Sequence, residues 1–162
     1  MRPRAILASL PGPLLGWVVR ALLVLVAVMA FAIPFVRDLP LLGSVTRPFE
    51  AWFDYQCHRE AARSFALFGR IMPVCSRCFG IYAGLGLGAL VLRPKLDVWP
   101  LRIWVAGAAV VMVLDVVTEN LGMRPASGLL RFATGVLLAY PVGAALVVAL
   151  SERSSSGADA PS

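Results

Sequence analysis

The sequence predicts an all-α protein: a polytopic membrane bundle of four transmembrane helices with an interfacial amphipathic helix. Three observations lead there. Hydrophobic residues make up 59% of the 162-residue chain, only 15% are charged, and mean hydropathy is +0.81, a balance outside the soluble range. Four apolar runs recur, each about 20 residues long, the length a bilayer core needs. Charged residues gather mainly between the runs. On this reading residues 1–150 form one integral membrane domain and residues 151–162, polar and small, a disordered tail.

The elements follow in order. Arg2 and Arg4 precede a first span at residues 14–36, interrupted only by Arg20, which is close enough to one end to snorkel. Ala30-Phe31-Ala32 could be read as a signal-peptidase site, but Pro34 and the length of the run favour a retained anchor. From Arg37 to Met72 the composition turns mixed. Within it Trp52, Phe53, Cys57, Ala61, Ala62, Phe65 and Phe68 recur at helical intervals, which predicts an amphipathic helix over residues 48–68 along the headgroups.

A second span is expected at residues 74–92, a third at 101–117 with Asp115 in its last turn, and a fourth at 129–150 with Arg131 near its start and Pro141 mid-way. Gly80, Gly84 and Gly88 put small residues on one face of the second span, and Gly135, Ala139 and Gly143 do the same for the fourth, which makes the two natural packing partners. The same faces could serve a homo-oligomer or another membrane protein. The net charge of +6 would suggest nucleic acid in a soluble chain. Here the basic residues flank spans, so membrane lipid is the expected partner and nucleic acid is not.

Two constellations could carry chemistry. Cys57, His58, Cys75 and Cys78 supply the three thiols and one imidazole of a tetrahedral Zn2+ site, with Cys75-x-x-Cys78 gripping from a tight turn. Cys57 and His58 are neighbours whose side chains tend to point apart, so one of them could lie outside the coordination sphere. The same atoms admit a thiol-disulfide reading, because a helix N-terminus and Arg77 both stabilise a thiolate at Cys75 or Cys78. They also admit a plainer one, in which small polarizable side chains simply pack well. An odd number of thiols argues against a simple disulfide scaffold.

The second constellation is Asp115, Glu119, Arg124, Ser127 and Arg131, joined by Arg63 and Arg77 from earlier in the chain. Asp115 and Glu119 share a helix face at four-residue spacing. Ionisable groups at membrane depth must pair, so Asp115 should neutralise Arg131, or else Arg63 or Arg77. The pairing is either purely structural or the wall of a polar pocket for an anion, a headgroup or a proton.

Cys57-His58, Arg63-Ser64-Phe65, Gly69, the run Pro73-Val74-Cys75-Ser76-Arg77-Cys78-Phe79-Gly80-Ile81-Tyr82 with Gly84, and then Asp115, Gly122, Arg124, Ser127 and Arg131-Phe132-Ala133-Thr134-Gly135 resemble the uncharacterised membrane family catalogued as domain of unknown function 2085. The resemblance covers residues 51–143. It implies a small polytopic membrane protein and no established activity. Together these features lead to a multi-pass protein of the cell membrane with a Cys/His zinc-like site beside an Arg/Asp pocket. A membrane thiol-disulfide oxidoreductase and a non-catalytic lipid-binding or assembly module are the alternatives. The sequence leaves open whether the protein is an enzyme.

Overall fold

The computed structural model describes residues 12–40, 42–57, 60–91 and 97–156. Along the chain lie α1 (Gly12–Val36), α2 (Gly43–Gln56), a 3-10 turn (Ala61–Arg63), β1 (Ala66–Leu67), β2 (Arg70–Ile71), α3 (Ser76–Leu90), α4 (Val98–Asn120) and α5 (Gly128–Ser156). Among the described residues, three helices are long and apolar enough to cross a membrane, over Leu14–Val36, Val98–Asn120 and Gly128–Ser151. Large apolar side chains such as Trp99, Ile103, Val110, Val113 and Leu114 on α4 stay exposed, as a lipid-facing surface requires.

The second expected span differs from the other three. Its helix has 15 residues, about 22 Å of rise against a hydrocarbon core of about 30 Å. It starts at Ser76 because Cys75 is extended in the N-cap position, and it stops at Leu90; Leu92, the expected end, lies outside the described residues. The third span is longer than expected, since Pro100 falls in the first turn of α4, where its missing N–H costs no helical hydrogen bond. Helix α5 runs past the expected limit at Leu150 to Ser156, and residues 157–162 of the tail lie outside the described residues.

Helix α3 is nonetheless the centre of the bundle. It packs against α1 on one side and most extensively against α5 on the other. The α3–α5 contact is parallel: Gly80 meets Phe132, Gly84 meets Val136 and Ala139, and Gly88 meets Tyr140 and Ala144. From the α5 side, Gly135 and Gly143 meet Arg77 and Leu85. A methyl group at Gly84 would lie 2.8 Å from the Val136 carbonyl oxygen, and one at Gly135 2.6 Å from the Arg77 carbonyl, so only glycine lets the two backbones approach this closely. Gly86 does the same against Ala27 of α1. The glycine faces considered for a homo-oligomer or membrane partner are therefore occupied within the chain.

Helix α4 runs antiparallel to α5 and is tied to it at a backbone defect. Pro141 has no N–H, so the Leu137 carbonyl one turn earlier loses its helical donor. The Trp104 indole N–H donates to that oxygen at 3.0 Å, which satisfies a polar group that lipid could not.

The amphipathic helix expected over residues 48–68 is corrected. Helix α2 ends at Gln56, and the chain continues through the 3-10 turn into a two-stranded antiparallel hairpin, with Ala66 opposite Ile71 and Leu67 opposite Arg70. The turn residues Phe68 and Gly69 both have positive φ, 52° and 77°, the geometry that matches hairpin twist. The Arg70 guanidinium then donates to the Pro34 carbonyl at 2.7 Å and pairs with Asp38 at 2.9 Å, capping the open C-terminus of α1. Helical spacing of the apolar residues concealed a reversal that only these backbone hydrogen bonds and the cap reveal.

Candidate metal centre

The C-terminus of α1, the start of α3, the end of α4 and the start of α5 meet at one end of the bundle. Cys57 terminates α2 in an extended conformation (φ −132°, ψ 128°), its N–H still donating to Phe53. That break turns its side chain into a buried apolar cluster with Ala30, Ile33, Phe53 and Val74, against which Cys75, Cys78, Phe79 and Tyr82 pack. The three sulfurs of Cys57, Cys75 and Cys78 lie within 4.8 Å of one another, and all three thiols are free. Tetrahedral bonds of 2.3 Å would space such sulfurs about 3.8 Å apart, so the triad is near coordinating geometry. The Cys75 N–H donates to the Cys57 sulfur at 3.3 Å, a bond that favours the anionic, metal-binding form. His58, the expected fourth ligand, lies outside the described residues.

Cys75 sits at the boundary, just before α3 begins. Its thiol is lowered from 9.0 to about 5, first by a hydrogen bond from the Cys78 thiol, with the Cys78 N–H, Cys57 and the Arg77 N–H adding and burial opposing. The shift favours the thiolate at Cys75, which is the state a metal ligand or a nucleophile requires. Beside the sulfurs, the Tyr82 hydroxyl donates to the Gln56 side-chain Oε1 at 2.8 Å and the Tyr82 ring packs on Trp52 and Phe53.

The arginine and carboxylate residues form a network at the same end. Helix α4 stops in a paired cap: the Met123 N–H bonds to the Thr118 carbonyl and the Gly122 N–H to the Glu119 carbonyl, with Gly122 at φ 69°. This reversal carries Arg124 back over the last turn of α4. Its Nη2 pairs with Asp115 Oδ1 and reaches the Asp115 carbonyl at 2.9 Å, while its Nε donates to Thr118 Oγ1 at 3.1 Å. Arg77 of α3 donates to the other oxygen, Oδ2, at 2.6 Å. Asp115, 5% exposed, is thus shared by two guanidinium groups. Arg131, 4% exposed, makes a two-point pair with Glu119, its Nε at 2.7 Å from Oε2 and its Nη2 on Oε1.

The expected pairings are redistributed by this geometry. Asp115 takes Arg77, one of the expected partners, together with Arg124; Arg131 goes to Glu119. Arg63 is half-exposed and pairs locally with Glu60 at 2.9 Å. Ser127 caps α5, its hydroxyl accepting from the Leu130 N–H at 3.3 Å. Gly122 has a sequence signal, a glycine just after the last helical turn. Gln56 and Tyr82 have none, because their contact joins distant parts of the chain.

The model of the family described as predicted membrane protein (DUF2085) matches residues 57–145, the stretch that holds both the thiol triad and the network. The chain is 38% identical over 96 residues to an uncharacterized protein of Methanocaldococcus jannaschii, covering 57% of this chain and 62% of the relative. It is 35% identical over 102 residues to an uncharacterized protein of Methanothermobacter thermautotrophicus, covering 59% of this chain and 85% of the relative. The chain thus spans less than two thirds of the first of these relatives. No solved structure matches.

Proposed function

Starting from the DUF2085 family of predicted membrane proteins, to which the chain belongs, we propose that it is a multi-pass protein of the cell membrane whose Cys57, Cys75 and Cys78 hold a zinc-like divalent ion. His58, next to Cys57 in sequence, is the fourth ligand in this reading. The ion pins the loop after α2 to the start of α3. Arg77, Asp115, Glu119, Arg124 and Arg131, with Arg63 at the rim, form the polar wall beside it. Helix α3 is a short fourth span, shielded from lipid along much of its length by α1 and α5. With four protein ligands the metal is structural; with a water in place of His58 it becomes a Lewis acid.

The observation that carries the reading is the convergence of three sulfurs within 4.8 Å from two separate segments. Metal analysis of the purified full-length protein tests it. One equivalent of zinc is expected, lost in Cys75→Ser and in Cys57→Ser; a parent protein without bound metal, and unable to take up zinc, rejects it.

The lowered thiol of Cys75 favours a second reading, thiol-disulfide exchange through Cys75 and Cys78. In it, metal-free protein would reduce a small-molecule disulfide such as oxidised glutathione, Cys75 and Cys78 forming their own disulfide as two glutathione thiols leave, and Cys75 would be alkylated with a pH midpoint near 5. A midpoint at the ordinary thiol value removes this reading.

A further inference from the structure

We infer that the arginine–carboxylate network sets the charge of the ion the thiol triad accepts, biasing it toward divalent over monovalent thiophilic cations. The inference rests on the metal reading above and deepens it. Three buried or half-buried guanidinium groups, Arg77, Arg124 and Arg131, face two carboxylates, Asp115 and Glu119, which leaves one positive charge in excess among the described residues of the network. Arg63 and Glu60 cancel each other in their own pair. The excess arises at Asp115, where Arg77 and Arg124 share one carboxylate. Arg77 stands between two of the cysteines in sequence, its Nε is buried without an acceptor among the described residues, and Arg131 is within electrostatic reach of Cys75.

Coordinated thiols are fully ionised. Three thiolates on a divalent ion carry one net negative charge, which the network's excess cancels. A neutral fourth ligand, imidazole or water, leaves that total unchanged. The same thiolates on a monovalent ion such as Cu+ carry two negative charges, so one remains uncompensated in a setting of low dielectric, where an unpaired charge is costly. Softness of the sulfurs favours Cu+; the network acts against it.

The test is the ratio of Cu+ to Zn2+ dissociation constants, measured by chelator competition on the full-length protein in lipid nanodiscs. Glu119→Gln adds one positive charge to the network and should lower the Cu+/Zn2+ ratio about tenfold; Arg124→Gln removes one and should raise it about tenfold, as expected for unit charges about 10 Å apart. If Glu119→Gln fails to fold because Arg131 loses its partner, Arg124→Gln, which leaves Asp115 bound to Arg77, decides the sign alone. A ratio that does not move, or moves the wrong way, in the folded variants overturns the inference while leaving the metal reading intact. Failure of the parent chain to bind either ion overturns both.

Discussion

At the scale of single residues, Asp115 is the position on which the arginine–carboxylate network turns. It is one of the few buried side chains of α4, a helix otherwise turned outward, and its two oxygens serve different elements: Arg77 on α3 and Arg124 in the turn after α4. Removing its charge strands two guanidinium groups at once, whereas removing Arg124 leaves a complete Arg77–Asp115 pair. Asp115→Asn should therefore cost about 3–5 kcal/mol, the range for breaking a buried ion pair by deleting one partner. Arg124→Gln should cost clearly less. Thermal unfolding in detergent, followed by circular dichroism, orders the two; equal losses would mean that Arg77 does not depend on Asp115. The residue types of this network were legible in the sequence, since ionisable groups in apolar surroundings must pair. The choice of Glu119 for Arg131 was not, because it depends on the rotation of α5 about its axis, which the glycine contacts with α3 fix.

At the scale of elements, two kinds of helix contact replace the hydrophobic effect, which lipid largely cancels between spans. The first is a hydrogen bond to a carbonyl that proline exposes. Trp104→Phe should cost about 1 kcal/mol, within the range for interhelical hydrogen bonds in membranes. In a Pro141→Ala background, where the restored N–H satisfies Leu137, the same change should cost little. A double-mutant cycle without coupling would show that the 3.0 Å bond contributes nothing. The second kind is close backbone approach. Gly84→Ala would press a methyl group 2.8 Å from the Val136 carbonyl oxygen and should cost about 1–3 kcal/mol by overpacking. Gly107→Ala on α4, where a methyl group would meet nothing within 4 Å among the described residues, should be tolerated. Both changes are read by the same unfolding measurement, and equal effects would mean that α3 and α5 are not in tight contact.

At the scale of the whole molecule, the arrangement sends the thiol triad and the α4–α5 turn to one membrane face and Asp97, just before α4, to the other, if α3 crosses. Cysteines introduced at Ser64 and Asp97 should then be labelled by an impermeant thiol reagent from opposite sides, and one at Ser127 from the same side as Ser64. Labelling of Ser64→Cys and Asp97→Cys from one side would reduce α3 to a re-entrant segment inside a three-span protein. Composition and the spacing of apolar runs were enough to determine a helical membrane protein, because solvent preference is a property of the side chains themselves. The small-residue repeats also marked α3 and α5 as partners, since glycine spacing along a helix survives into the folded contact. Gathering Cys57 with Cys75 and Cys78, ending α2 at Gln56, turning the chain through a hairpin at Phe68 and Gly69, and sharing Asp115 between Arg77 and Arg124 were decided only by the tertiary structure. Each requires groups far apart in the chain to meet, and local periodicity carries no information about distance through space.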